Sequence, residues 1–283
     1  MNLTSTFLSN RLNILLCLVT GLSVTTGCQD QDISLNVNRV IPYDSASCEV
    51  LDGEGIFLAN GVLDLAVRQN YTVNLEVSNN LVNVVEARNF QPSDMRVSYN
   101  GVSLRSAVIE YSTLDQLSTG IPTKRVIPLS GSVPESTALV LSNFELFSPD
   151  VLEQIRNAQE FYSENEGKVT PARSAITILT RVRIKGKTQD GRDVESSEFL
   201  FPVELCNGCR IQYPADMLVQ RGGQLSCPPK PAASEEGSAT SGAGDPVCPS
   251  TLGTDDSFVD CQACQGLAVD SFARQLCQPP RIP

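Results

Sequence analysis

The chain has 283 residues, of which 41% are hydrophobic and 19% charged, enough for one sizeable folded domain and a smaller region. The formal net charge of -11 repels phosphate backbones, so we expect no nucleic-acid partner. Histidine is absent, which excludes Ser-His-Asp and Cys-His catalytic units and His-ligated metal sites.

The first 27 residues have the pattern of a signal peptide. Arg11 precedes an apolar segment over residues 12–24 that is too short for a transmembrane helix. Small residues then lead to Cys28, an order that resembles the lipobox of bacterial lipoproteins, whose cysteine is acylated. We predict a lipoprotein signal peptide over 1–27, with Cys28 as the lipidation site. The alternative is an ordinary signal peptide, with Cys28 as a plain thiol.

Residues 28–45 begin with a polar stretch and are predicted to be a tether. Gln29 and Asp30 resemble the signal for export to the outer membrane of Gram-negative bacteria. We therefore expect an envelope protein that contacts the membrane through its acylated N-terminus.

Residues 46–210 alternate apolar and polar side chains between frequent turn signals, which predicts an antiparallel immunoglobulin-like β-sandwich. The clearest hairpin has a two-residue turn at Asp190-Gly191. It pairs Val182 with Phe199, Thr180 with Phe201, Ile178 with Val203 and Ile176 with Leu205. The same register places Arg183 opposite Glu198 and Thr177 opposite Glu204.

Other elements complete this predicted domain. Asn79-Asn80 and Asn100-Gly101 are candidate turns of two further hairpins, the second pairing Tyr99 with Val102. Strands are also predicted at 124–129 and 138–147. One covering helix is predicted from the N-cap Ser148 to Phe161.

The C-terminal part is poorer in large apolar residues. Residues 211–247 are predicted to be an irregular segment and a linker rich in Pro, Gly and Ser. Residues 248–283 form a Cys-rich region with a predicted helix over 262–276, whose Leu267, Ala268, Phe272 and Leu276 share one face. Such a region must be disulfide-linked, docked on the sandwich, or both.

The mature chain has an even number of cysteines apart from Cys28. They are Cys48, Cys206, Cys209, Cys227, Cys248, Cys261, Cys264 and Cys277. Four disulfides are predicted, with the connectivity open. A zinc site made from the C-x-x-C pairs at 206/209 and 261/264 is one alternative, and a redox-active C-x-x-C is another. We predict no metal and no cofactor.

Charged clusters supply few further candidates. Asp255, Asp256 and Asp260 do not have the spacing of a calcium loop and indicate a solvated acidic turn. A basic stripe of Arg181, Arg183, Lys185 and Lys187 lies on one face of a predicted strand. These cations either pair with acids across the sheet or bind an acidic partner, a polysaccharide or lipid head groups.

Several blocks of the chain resemble a group of uncharacterised secreted lipoproteins of myxobacteria and their relatives. These blocks are the lipobox, residues 75–81, residues 181–186 through Asp190-Gly191 to 199–203, and the Cys206-Asn207-Gly208-Cys209 motif. The resemblance implies an envelope location and a β-rich architecture.

These features together predict a lipid-anchored protein of the Gram-negative outer membrane. We expect it to act as a non-enzymatic binding or structural module with a protein or polysaccharide partner. The alternative is a periplasmic enzyme, either a thiol oxidoreductase using a C-x-x-C pair or a carboxylate-driven hydrolase.

Overall fold

A computed structural model describes residues 34–44, 47–51, 53–81, 99–113, 121–158, 162–165, 168–171, 175–221, 224–228, 251–255 and 257–279. In chain order the strands are β1 (Leu35–Ile41), β2 (Gly61–Asp64), β3 (Tyr71–Asn79), β4 (Val102–Thr113), β5 (Lys124–Pro128), β6 (Ser132–Val133), β7 (Thr137–Phe147), β8 (Tyr162–Asn165), β9 (Lys168–Pro171), β10 (Ala175–Thr188), β11 (Asp193–Glu195), β12 (Phe199–Cys206), β13 (Ile211–Gln212), β14 (Val219–Arg221), β15 (Gln224–Ser226) and β16 (Val259–Asp260). The α-helices are α1 (Pro149–Ala158), α2 (Cys261–Leu267) and α3 (Ser271–Leu276), and a 3-10 turn spans Ala215–Met217.

Two sheets carry the main core. The larger sheet has the order β2-β12-β10-β4-β5, with β11 on β10 and β6 on β4, and the smaller sheet has the order β1-β3-β7. The two sheets bury their apolar side chains in one cluster. Tyr111 on β4 joins them directly, because its ring lies 5.2 Å from that of Phe147 on β7 and its hydroxyl donates to the carbonyl of Leu146 at 2.8 Å. The prediction of a mainly β fold with antiparallel sheets is confirmed.

Strand β10 is the centre of the larger sheet, between β4 and β12. Its side chains alternate, so that Ile176, Ile178, Val182 and Ile184 are buried in the core. The four inward-facing pairs predicted between β10 and β12, three of them wholly apolar, are present in that register, and Thr177 faces Glu204 as expected. The alternation of side chains along both strands specifies this register, because a one-residue slip would turn the apolar residues outward.

The predicted two-residue turn and the predicted Arg183–Glu198 pair are wrong. Thr188 pairs with Arg192 through N–H donation to the Arg192 carbonyl at 2.9 Å, so the loop contains three residues and ends at Gly191, whose φ is +92°. The register then shifts by one residue before β12, and Lys185 faces Glu195. Arg183 therefore pairs with acids other than the predicted Glu198.

The other predicted hairpins lie partly outside the described residues. Strand β3 leads into the Asn79-Asn80 pair, but residues 82–98, which contain most of the chain predicted to pair after Asn80 and before Asn100, are not described. The predicted Tyr99–Val102 pair is wrong, because Tyr99 is exposed and lies in no strand, while Val102 pairs with Val133 and Thr188. The strands expected at 124–129 and 138–147 are present as β5 and β7.

The predicted tether is wrong over residues 35–41, which form β1. This strand pairs antiparallel with β3, and Leu35 is fully buried. A register shift between Val37 and Arg39 interrupts the side-chain alternation that would have indicated a strand.

Helix α1 begins after Ser148, as predicted, and covers the core. The backbone carbonyl of Ser148 accepts from the N–H of Leu152 at 3.0 Å, and Val151, Leu152 and Ile155 are buried in the main cluster. Arg156 donates to the carbonyl of Leu65 at 3.0 Å and fixes the helix at the end of β2. The helix is described as far as Ala158, and its predicted end at Phe161 lies outside the described residues. Farther along the chain, β8 and β9 form a short antiparallel hairpin.

The C-terminal region has a second hydrophobic cluster and differs from the prediction. One helix over 262–276 is wrong, because α2 ends at Leu267 and Asp270 starts α3 by accepting from the N–H of Ala273 at 2.7 Å. Leu267 and Phe272 are exposed rather than buried together. The segment predicted to be irregular from residue 211 contains β13, which pairs parallel with β16, and the β14–β15 hairpin.

We predict that Gly186→Ala destabilises the larger sheet. A Cβ at this position would lie 2.5 Å from the Val102 side chain and 2.9 Å from the Ser103 carbonyl oxygen on β4. Such overpacking should lower the free energy of unfolding in urea by about 1 to 3 kcal/mol. The control is Gly266→Ala, at an exposed helical site with nothing within 4 Å, which should raise it by about 0.5 to 1 kcal/mol. Equal effects of the two changes would contradict the close β4–β10 approach.

Candidate functional site

A buried carboxylate lies beside a disulfide where β2 and β12 end. These strands run parallel, and their last residues, Asp64 and Cys206, are partners in the register. Leu63 and Leu65 are buried in the main core on either side of Asp64, whose own exposure is 0%. The short strand therefore holds an acidic side chain in the interior.

Three backbone N–H groups surround the Asp64 carboxylate. Its Oδ1 accepts from Ala66 at 2.9 Å and from Gly208 at 2.8 Å, and its Oδ2 accepts from Arg210 at 2.8 Å. Burial raises the pKa of Asp64 above its ordinary value, while the three N–H donors and the charge of Arg210 act in the opposite direction. The site can thus hold a proton more readily than an exposed aspartate, and it stabilises the charged form by hydrogen bonds.

The hydrogen-bonded loop contains the Cys206-Asn207-Gly208-Cys209 motif. Cys206 and Cys209 are joined in a disulfide, and Gly208 has a φ of +81°, a conformation that favours glycine. Cys206 is fully buried at the end of β12, whereas Cys209 is exposed. A redox-active C-x-x-C normally opens a helix that follows a strand, whereas β13 follows this motif.

Among the described residues, Asp64, Cys206 and Cys209 also form a group of side chains spaced closely enough to hold a metal ion. The ligand atoms of Asp64, Cys206 and Cys209 lie within 4.8 Å of one another. In the disulfide form neither sulfur is a thiolate, and the thiolate is the form that binds metals. The arrangement therefore fits thiol–disulfide chemistry better than metal binding.

The remaining cysteines link the C-terminal region. Cys227 bonds to Cys261 and Cys264 bonds to Cys277, and all four are buried. The prediction of disulfides in this region is confirmed. The two C-x-x-C pairs do not converge as a four-thiolate zinc site requires, because Cys261 and Cys264 have partners in separate disulfides. Cys48 is exposed and disulfide-bonded, while Cys248 and Cys28 lie outside the described residues.

The basic stripe is partly neutralised by acids of the same sheet. Arg183 contacts Glu110 at 2.6 Å and Glu195 at 3.4 Å, and Lys185 lies 3.5 Å from Glu195. Arg181 and Lys187 make no ion pair with any residue in the described ranges. This arrangement favours cross-strand pairing for the middle of the stripe.

The acidic turn near residue 255 has structural contacts. Asp255 accepts from the Tyr71 hydroxyl at 2.7 Å and from the N–H of Val62 at 3.1 Å, and Asp260 accepts from the N–H of Ala263 at 2.7 Å as the N-cap of α2. Burial and the Asp255 carboxylate raise the pKa of Tyr71 well above its ordinary value. The Tyr71–Asp255 hydrogen bond thus connects the smaller sheet to the C-terminal region. Asp256 lies outside the described residues.

Sequence reasoning missed Asp64, although it identified Cys206 and Cys209. Asp64 is the last residue of a four-residue strand, and so short a strand has no measurable periodicity. The available signal was one acid directly between Leu63 and Leu65.

Comparison of the chain with known protein families, curated proteins and solved structures found no match. Within the described ranges, none of the helices is long and apolar enough to span a membrane.

We predict that Asp64→Ala strongly destabilises the protein, because three backbone N–H groups lose their acceptor. With each buried unsatisfied donor costing about 1 to 3 kcal/mol, the free energy of unfolding should fall by about 3 kcal/mol or more. Asp270→Ala is the matched control, since it removes one N-cap hydrogen bond and should cost about 1 kcal/mol. Urea titration of both variants makes the comparison, and a smaller effect at residue 64 would show that the carboxylate does not hold the loop.

For the stripe we predict that Arg181→Gln, Lys185→Gln and Lys187→Gln together change the free energy of unfolding by no more than about 1 kcal/mol, because exposed pairs contribute little. If the stripe only pairs within the sheet, species crosslinked to the protein in intact cells should also persist. Loss of those species from a stably folded variant, with in vitro binding that weakens steeply in salt, would show that the stripe binds an acidic partner.

Proposed function

We propose that this protein is a lipid-anchored protein of the bacterial cell envelope whose folded part is a non-enzymatic binding or structural module. The main observation that supports this proposal is that all seven cysteines in the described residues are disulfide-bonded. Such disulfides persist in oxidising compartments and are rare in the cytosol. The C-terminal region in particular depends on them, because two of them lie within its small hydrophobic cluster.

The proposed anchor is Cys28. The apolar segment over residues 12–24 and the small residues before Cys28 support export followed by acylation. Each buried methylene contributes about 0.8 kcal/mol, so two or three acyl chains would hold the protein stably on a bilayer. Gln29 and Asp30 favour the outer membrane of a Gram-negative bacterium as the destination.

We further propose that the two-sheet body is an immunoglobulin-like sandwich. Support comes from the shared core of the two sheets and from the Tyr111 contacts that cross it. The parallel β2–β12 pair is an addition at the edge of this arrangement. Sandwiches of this class commonly present loops and sheet faces to protein or carbohydrate partners, which are the partner classes we expect.

Absence of histidine from the whole chain supports a non-enzymatic role, because it removes the general base most often used near neutral pH. Many charged side chains in the described residues also have structural partners. Arg39 bonds to Glu76 at 2.7 Å within the smaller sheet. Arg125 on β5 bonds to Glu145 on β7 at 2.5 Å and so links the two sheets.

The anchoring proposal predicts that Cys28→Ala releases the protein. For the wild-type sequence, the intact mass should show the loss of residues 1–27 and the addition of acyl chains, and the protein should sediment with membranes. Cys28→Ala should lack the acyl mass and appear in the soluble fraction. Cys17→Ala is the control, because Cys17 lies inside the predicted signal peptide and should have no effect. An unmodified Cys28 within a longer mature chain would contradict the proposal.

A further inference from the structure

We propose that the Cys206–Cys209 disulfide is a stoichiometric thiol-exchange site, at which an external thiolate attacks Cys209 and the buried Asp64 carboxyl exchanges a proton with Cys206. The proposal goes beyond the module function and does not depend on the anchor. Its geometric basis is that the two sulfurs and an Asp64 oxygen lie within 4.8 Å of one another.

The two sulfurs have unequal access to solvent. Cys209 is exposed on the loop, while Cys206 is fully buried at the end of β12. Exchange requires access of the attacking thiolate to one sulfur along the S–S bond, so attack at Cys209 is favoured and Cys206 is the leaving group. In the other two disulfides with described partners, all four cysteines are buried.

The leaving sulfur needs a proton, because a thiolate in the interior is poorly solvated. The protonated Asp64 carboxyl can supply it, and the resulting carboxylate is stabilised by the N–H groups of Ala66, Gly208 and Arg210. Burial, which raises the pKa of Asp64, increases the fraction of carboxyl that holds this proton.

The exchange balances in two steps. The external thiolate forms a bond to Cys209 Sγ, the Cys206–Cys209 bond breaks, and its electron pair stays on Cys206 Sγ, which takes the proton of Asp64. A second external thiolate then attacks the outer sulfur of the mixed disulfide, the bond to Cys209 Sγ breaks, and the exposed Cys209 leaves as a thiolate that takes a proton from water. Two external thiols are thereby oxidised to a disulfide, and Cys206 and Cys209 are reduced to thiols. In the reverse direction, an external disulfide first reacts with the Cys209 thiolate to give the same mixed disulfide. Asp64 then takes the proton of Cys206, whose thiolate attacks Cys209 Sγ and releases the external thiolate.

The loop should stay in place when the disulfide opens. Asp64 holds Gly208 and Arg210 through hydrogen bonds that do not involve sulfur, so Cys209 remains near Cys206. Closure is then an intramolecular reaction between groups already in position. This distinguishes the site from a purely structural disulfide, whose opening would release the chain.

The chain offers an internal comparison for exposure alone. Cys48 is also exposed and disulfide-bonded. The Asp64 carboxyl, however, is grouped with the sulfurs of Cys206 and Cys209. If Asp64 contributes, the Cys206–Cys209 bond should exchange faster than the disulfide of Cys48.

The experiment treats the oxidised full chain under native conditions with graded reduced glutathione or, in a second arm, with a cysteine-containing unfolded peptide. Acid quenching and peptide mass spectrometry then locate the adducts. We expect the first adduct on Cys209, about tenfold or more faster than on Cys48, while Cys227, Cys261, Cys264 and Cys277 stay oxidised. The two arms identify whether small or peptide thiols react. First reaction at Cys206 or Cys48, or no exchange before unfolding in either arm, would overturn the proposal.

The role of Asp64 is tested by Asp64→Asn, with Asp270→Asn as the control. In the described part of the chain, the Arg210 guanidinium and the Tyr213 hydroxyl are the titratable groups that interact electrostatically with Asp64. In the unmodified protein, the exchange rate per external thiolate should fall as the pH rises above the pKa of Asp64, because the proton donor is lost. In Asp64→Asn this rate should be about tenfold or more lower and independent of pH. An unchanged profile in Asp64→Asn would remove Asp64 from the reaction, and if that variant does not fold, the Cys209-against-Cys48 comparison decides.

Discussion

The structure depends most on one buried interaction, the Asp64 carboxylate with its three backbone N–H donors. A carboxylate in the interior is costly unless hydrogen bonds satisfy it, and here the donors come from the turn after β2 and from the loop after β12. The same bonds therefore fix two chain segments that are far apart in sequence. They also bring the carboxyl group beside the Cys206–Cys209 disulfide.

The turn after Asp64 connects two hydrophobic clusters. Leu65 is buried in the main core of the two sheets, whereas Ala66 and Val67 are buried in the cluster of the C-terminal region. That region contains two disulfides, and its backbone reaches the turn through the N–H of Val269, which donates to the Ala66 carbonyl at 3.1 Å. A region too small to fold on its own apolar area is thus both disulfide-linked and docked.

Parts of this fold could be predicted from the sequence because several signals agreed. The β10–β12 hairpin combined a turn signal with mostly apolar pairs on one face of the two strands. Its three-residue loop could not be predicted, because the loop depends on the Thr188 hydroxyl, which accepts from the N–H of Arg192 at 2.9 Å. That hydrogen bond has no signature in the alternation of apolar and polar residues. Strand β1 was missed because its register shift breaks the alternation. Of the candidate site, the cysteines were visible as a motif. Asp64 was not, since its partners are backbone groups 2 to 146 residues away.

The central claim is that Asp64 and the Cys206–Cys209 pair form one proton-exchanging unit. The most direct measurement is a carbon-13 NMR titration of the Asp64 carboxyl carbon, assigned with Asp64→Asn, in the oxidised protein and after selective reduction of this disulfide. We expect a midpoint above that of an exposed aspartate in the oxidised form and a different midpoint in the reduced form, because the proton is then shared with the Cys206 thiol. A midpoint that is not raised in the oxidised form, or that does not change on reduction, would contradict the claim.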